Sequence, residues 1–365
     1  MAQLPLTVTY RRWGPPACDG GIALYSGRRC VLQMRGHPGP QDTIPKVMSR
    51  RRVILWITAL VASVIVAASI YLRSRLPYDP EFDIRVPDPA YLANGPIVLF
   101  DEGHLNTHTA SAGYKPFTGL VRNDGYDVRV TRQSLSAPVL AHVSVLVVVL
   151  PRGANDANDD SAFAASEIDA VHTWVQNGGS LLLITDHWPY GPAASSLGQS
   201  FGIQMGRGMV EDPEQHDQAR GASHLVFSAE NGLLRDHAIV RGRKPAERIH
   251  RVLTFTGQSI LGPPGATSFL ALSDAAIERP PTAPRVERSG GDVRVSMEYG
   301  DPISARGRAQ GVALEVGKGR IVVLGEAGML RAERGRGDER TGMNVPGYDN
   351  RQLALNIMHW LTRVL

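Results

Sequence analysis

Cysteine is nearly absent. Only Cys18 and Cys30 occur in 365 residues, and both precede the longest apolar run. The chain beyond that run has none, which excludes a cysteine nucleophile, a cysteine-ligated zinc and a disulfide framework there. A large excess of charge is also missing. The net charge is only +4, and much of the arginine lies in the N-terminal region and beside the apolar run. The pI of about 9.2 is therefore a membrane-flank and surface effect. No segment combines a basic stripe with interleaved aromatics, so nucleic acid is not an expected partner. There is no internal repeat. Ser195 and Ser196 lack a Gly-x-Ser-x-Gly context, which weakens a serine-hydrolase reading. Gly317-Lys318-Gly319 reads as a turn, not a phosphate loop.

What is present suffices for one large domain or two modest ones, with 43% hydrophobic and 20% charged residues. Val53 to Leu72 is uncharged, flanked by Arg50-Arg51-Arg52 on one side and by Arg73 and Arg75 on the other. A helix over this run rises about 1.5 Å per residue and so matches a hydrocarbon core of roughly 30 Å. The run is expected to be a single transmembrane signal anchor, although Val66-Ala67-Ala68 also suits signal-peptide cleavage. The heavier basic flank before it, with Lys46, favours a cytoplasmic N-terminus. The C-terminal part would then be periplasmic or extracellular. Residues 1–47, rich in Gly, Pro and Arg, read as a disordered tail or a mis-assigned extension, with Met48 as a natural start. Residues 73–94, with four prolines, read as a spacer.

From residue 95 onward, apolar runs alternate with amphipathic stretches, as in a parallel α/β sheet with flanking helices. Strands are expected at Ile97–Phe100, Tyr126–Val130, Val143–Leu150, Leu181–Ile184, Gly311–Val316 and Arg320–Leu324. Helices are expected at Lys115–Asn123, after a Ser166 or Ser161 cap, at Ala193 to about Phe201, and at Asn350–Leu365. Residues 205–310 form an irregular insertion, with strands at Val252–Phe255 and Ser268–Leu272 and an exposed loop over Ile277–Gly291.

Three runs end in titratable side chains: Phe100 into Asp101-Glu102-Gly103-His104, Ile184 into Thr185-Asp186-His187, and Leu324 into Gly325-Glu326. In one parallel sheet these groups collect at its carboxyl edge, where open α/β sheets bind ligands. The stretches Leu99–His104, Trp174–His187, Gly319–Glu326 and Asn356–Leu361 resemble the class I glutamine amidotransferase-like superfamily. They look closest to its gliding-motility GldG-type and intraflagellar-transport-type branch and to bacterial membrane-anchored domains of unknown function. The resemblance implies an open, mostly parallel, flavodoxin-like sheet over residues 95–365. It also places the superfamily's nucleophile turn at Thr185-Asp186-His187, which holds no cysteine, and its histidine motif near Gly325-Glu326. Thioester hydrolysis of glutamine then has no nucleophile.

Asp186, His187 and Glu326 are the candidate catalytic groups, and Asp101, Glu102, His104 and His108 the candidate binding groups. Each has a structural alternative: Asp101 or Glu102 could hold loop N–H groups, Asp186 could cap a helix, and Glu326 could pair with Arg331 or Arg334. His104 and His108 are not on a helix, but a loop could still bring them to one metal with the carboxylates. The sequence identifies no cofactor. The leading expectation is a membrane-tethered ligand-binding or assembly module whose polar pocket is bounded by Asp101, Glu102, His104, Asp186, His187 and Glu326. The alternative is a hydrolase with His187 or Glu326 as general base, with or without a metal-bound water. Its partner could be a small molecule or a membrane complex to which it belongs.

Overall fold

The computed structural model describes residues 77–152, 161–188, 190–282, 285–289, 292–296, 298–335 and 339–365. The expected membrane run 53–72 and the extension 1–47 lie outside these. Among the described residues no helix is long and apolar enough to cross a membrane.

The central sheet contains β1 (Ile97–Asp101), β2 (Asp127–Thr131), β3 (Val145–Val149) and β4 (Ser180–Ile184). Next to β4 stands the strand Gly319–Leu324, and the order β2-β1-β3-β4-(Gly319–Leu324) is parallel throughout. This is the doubly wound order 2-1-3-4-5, whose switch point falls between β1 and β3. The sheet is mixed, however. Beyond Gly319–Leu324 it continues antiparallel through Ala309–Val316, the other arm of the hairpin turned at Gly317, and then through Ile260–Leu261 and Gln204–Met205.

β3 and β4 are buried at every position, which is why they read as unbroken apolar runs. Alternate residues serve opposite faces. Val147, Leu182, Ile184, Val322 and Leu324 join one core, with the helices Lys115–Asn123 and Asn350–Leu361. Leu146, Val148, Leu181, Leu183, Ile321 and Val323 join the other, with Val171 and Val175 of the helix Ala165–Gln176. That helix is capped at Ala164, not at a serine. Glu167 in its first turn accepts the Ala164 N–H at 2.9 Å. The last helix ends at Leu361, four residues short of the expected end.

The insertion holds many short strands. The stretch expected to be an exposed loop contains the strand Ile277–Arg279, paired with Met209–Glu211 and Ile303–Ser304, and the first arm, Arg285–Ser289, of a hairpin completed by Asp292–Ser296. Prolines between the strands conceal them, because two- to five-residue strands show too few alternations to stand out.

Residues 77–95 carry no helix or strand and lie along the domain. Arg331 donates to the Pro77 carbonyl, Lys115 to the Tyr78 hydroxyl, and the Asp79 N–H to the Ala332 carbonyl. Farther on, Arg351 donates to the Asp83 and Arg85 carbonyls, and Lys244 pairs with Asp88. Asp124, at the end of the helix Lys115–Asn123, then accepts the Ala90 N–H at 2.7 Å and faces His359 Nε2 at 2.7 Å. The segment therefore runs from the sheet's carboxyl edge to its amino edge, where β1 begins.

Candidate functional site

The sheet delivers its titratable groups to the carboxyl edge in separate sets. The first lies at the switch point. His104 Nδ1 is 2.9 Å from both Asp101 carboxylate oxygens, and its Nε2 is 3.1 Å from Glu167 Oε1. Asn106 donates to Asp101 and to the Val149 carbonyl, both at 3.1 Å, tying the loop after β1 to the end of β3. Phe163 packs on the imidazole with ring centroids 4.4 Å apart. Asp101, His104 and Glu167 are all buried. Burial opposes the imidazolium, but the Asp101 and Glu167 hydrogen bonds and charges outweigh it, so His104 titrates above its ordinary range. Glu167 is likewise disfavoured by burial, but the Ala164 and Leu135 N–H groups and His104 hold it below the usual carboxylate range.

Glu102 stands apart. Its carboxylate accepts the Ala110 N–H at 3.0 Å and pairs with the exposed Arg132 at 2.6 Å, so it secures the loop.

The second set joins the ends of β4 and Gly319–Leu324. Asp186 accepts the His187 N–H at 2.8 Å and the Ala327 N–H at 3.1 Å. Glu326 accepts the Gly328 N–H at 2.5 Å and the Met329 N–H at 2.7 Å. Neither arginine weighed from the sequence supplies its hydrogen bonds; Arg334 pairs with Glu81 instead. Burial pushes the Glu326 carboxyl well above the carboxylate range, and the nearby Asp186 charge pushes it further. Burial also raises Asp186, against the opposing pull of His187 and the two backbone donors. Two like charges at one buried place cannot both persist, so the pair favours holding one proton.

Around this pair, Tyr114 donates to the Ala327 carbonyl at 2.7 Å, and burial with the Glu326 charge raises its phenol. His108 stacks on Tyr114 at 5.7 Å, and burial together with Arg331 depresses it to about 4. Its imidazole is thus neutral at physiological pH. His187 lies with Nε2 3.6 Å from Asp186, while Nδ1 faces the Trp188 carbonyl at 2.7 Å and the Tyr299 hydroxyl at 3.3 Å. On that geometry Nδ1–H donates to the Trp188 carbonyl and Nε2 is turned towards Asp186. Arg331 Nε is buried with no hydrogen-bond partner.

Backbone strain marks the same edge. Leu105, Leu150 and Thr256 have positive φ, of 50°, 42° and 74°. A β-branched residue in the left-handed region persists only where its surroundings impose it. Thr256 is followed by Gly257, φ 108°, where a Cβ would come within 2.8 Å of the Glu326 side chain.

The edge therefore brings together Asp101 with His104, and Asp186 with His187 and Glu326, with His108 across Tyr114; Glu102 is separate. Glu167, Tyr114 and Tyr299 were not singled out by the sequence, and Arg331 only as a pairing partner for Glu326. Glu167 had one signal, an acid in the first turn of an amphipathic helix. The imidazoles fall into different sets, and among the described residues no three His, Cys, Asp or Glu side chains form a metal-holding group. A cavity of about 940 Å³ opens elsewhere, lined by His216, Asn231, His250, Arg251, Tyr348 and neighbours.

No family model and no curated protein matches the sequence. Among solved structures the chain is similar to the mmIFT52 N-terminal domain, with TM-score 0.52 and 14% identity, over 73% of this chain and 97% of that one. A ThuA-like protein from Bacteroides uniformis matches over 77% of this chain and 94% of its own, at 12% identity and TM-score 0.37. A GMP synthase-type protein from Thermoplasma acidophilum matches over 74% and 96%, at 12% identity and TM-score 0.40. At such identities the likeness to the mmIFT52 domain extends to the fold and not to an activity.

Proposed function

We propose that this chain is a membrane-anchored, exported module on a glutamine amidotransferase-like scaffold, without amidase activity, that binds a ligand or partner at the Asp186–Glu326 pair. The observation that carries the reading is this buried acid pair, with Asp186 at the turn where the resembling superfamily places its thiol and Glu326 near the position of its histidine motif. The pair can donate one hydrogen bond and accept others, Arg331 adds a cation, and His187 and Tyr299 form the more accessible rim. The sheet order and the likeness to the mmIFT52 domain support the scaffold assignment.

The direct test is ammonia release from glutamine by the full chain in detergent. No turnover above background is expected. Turnover abolished by Asp186→Asn would overturn the reading.

The Asp186–His187 contact favours a second reading, a hydrolase with His187 as general base. Its ring is fixed through Nδ1, and its Nε2 is turned to an acid. A panel of chromogenic ester and amide substrates separates the readings, because this one requires hydrolysis that His187→Ala abolishes.

A further inference from the structure

The cavity of about 940 Å³ lies away from the acid pair, between the insertion and the turn before the last helix. Its size is that of a site for a small organic ligand. Its base is apolar. Val226 and Leu253 pair across the short strands Val226–Ser228 and Arg251–Leu253 and form a small buried cluster with Val345, against which Tyr348 packs. One wall is the segment 214–216, whose Gln215 carbonyl accepts the Val226 N–H at 3.0 Å. The other is the start of the second strand with the turn at Tyr348, where the Arg251 carbonyl accepts the Asp349 N–H at 2.7 Å.

Both walls are braced from within the fold. Asp212, fully buried, accepts the Glu214 and Gln215 N–H groups at 2.9 Å each. Asp349 accepts the His250 and Arg251 N–H groups at 2.7 and 3.0 Å. Asn231 ties the base to the first wall, donating to the Val226 carbonyl at 2.8 Å and to the Gln215 side chain at 3.1 Å.

The walls carry opposite charges that do not meet. Glu214 stands on one. On the other, the Arg251 guanidinium lies 5.0 Å from the Tyr348 ring centroid, and Tyr348 is itself anchored by donating to Asp217 at 2.7 Å. Glu230 sits at the exposed rim, where Ser228 is its main partner and His250 and Arg251 act on it only through their charge. Among the described residues neither Glu214 nor Arg251 makes an ion pair. The segment at Gln215 pairs with Val226–Ser228, which pairs with Arg251–Leu253, so two strand spacings, about 10 Å, separate the two backbones. A ligand of one sign would place its charge against a like charge on one wall. A ligand with a cation and an anion about 10 Å apart meets both, and three extended residues of a peptide span that distance.

We infer that this cavity binds a short peptide with free termini, its ammonium at Glu214, its carboxylate at Arg251 and its small side chains over Val226. The site is independent of the acid pair and of the proposed membrane anchor.

The test is a ligand-observed NMR titration of the full chain in detergent with trialanine, N-acetyl-trialanine, trialaninamide and free alanine. Trialanine should bind in the millimolar range or tighter. Blocking either terminus should weaken it roughly fivefold, the size of one exposed ion pair. Free alanine should bind more weakly still, because its two charges cannot reach both walls. Arg251→Gln should remove the difference between trialanine and its amide, and Glu214→Gln the difference between trialanine and its acetylated form. Both side chains are exposed, and the peptide series on wild type stands without either variant. No binding of trialanine up to about 10 mM, equal binding of all three peptides, or binding of free alanine as strong as that of trialanine overturns the inference. Terminal preferences that survive both substitutions overturn the assignment to this cavity.

Discussion

Asp186 and Glu326 each stand two residues beyond the paired positions Ile184 and Leu324, at the ends of adjacent parallel strands. Equal offsets from one register place both residues at the same edge, where the Asp186 charge acts on Glu326. The strands' continuous burial makes the place dry, and the Ala327 backbone joins Asp186 to Tyr114. Asn350 then braces the loop by donating to the Met329 carbonyl at 3.1 Å, while the Met329 N–H serves Glu326.

The acid pair should make stability fall as pH rises. Both carboxyls titrate higher in the fold than in the unfolded chain. The unfolded state therefore binds fewer protons over the interval between those values. Native stability drains away upward through that interval at about 1.4 kcal/mol per pH unit for each proton. Glu326→Gln removes one titration but also one acceptor for the Gly328 or Met329 N–H. Its stability relative to wild type should therefore rise from acid to neutral pH, even if it starts lower. Urea titrations at about pH 4.5, about pH 6 and about pH 7.5 span the carboxyl interval and measure this. A pH-independent difference would contradict it.

His104 should behave as a buried ionic bolt. His104→Ala leaves Asp101 and Glu167 buried without their shared cation, a loss of about 3–5 kcal/mol. The linkage has two sides. The His104 contribution is complete below its ordinary value of 6.5 and is lost as pH rises through its raised folded value. The Glu167 contribution is present above its ordinary 4.5 and is lost as pH falls through its depressed folded value. Chemical denaturation across pH should show wild type weakening on the alkaline side in a way that His104→Ala does not.

Gly257 is one position near the acid pair that has no room for a side chain. Its φ of 108° is strained for any L-residue, and an added Cβ would lie 2.6 Å from the Gly325 carbonyl oxygen. Gly257→Ala should cost at least about 1–2 kcal/mol from the backbone alone. It should also shift the Glu326 titration by moving its loop. Gly221→Ala, at φ 98° but with nothing nearby, is the control that isolates the backbone cost.

The parallel strands and the principal helices were legible because each is long enough to show its period. Val145–Val149 and Leu181–Ile184 are continuous apolar runs, and Leu353, Ile357, Trp360 and Leu361 repeat along the last helix. Strand ends locate acids and imidazoles at one edge, but sequence does not say which meet. His104 found Glu167, 63 residues away, and Asp186 found the Ala327 backbone, 141 residues away. Such pairings depend on how loops fold back. The insertion was illegible for a different reason. Its strands, such as Ile260–Leu261 and Met209–Glu211, are held by neighbours and not by their own pattern.

Both carboxyls are raised, Glu326 well above its usual range by burial and the Asp186 charge, so the proposed site is expected to hold a proton at neutral pH and to serve as both donor and acceptor. Infrared difference spectra at neutral pH, wild type minus Glu326→Gln and wild type minus Asp186→Asn, read that proton most directly. A protonated-carboxyl carbonyl band is expected in wild type, above the carboxylate region, shifted in deuterium oxide and lost or displaced in both variants. Spectra showing only ionised carboxylate at both positions would contradict a proton held at the pair.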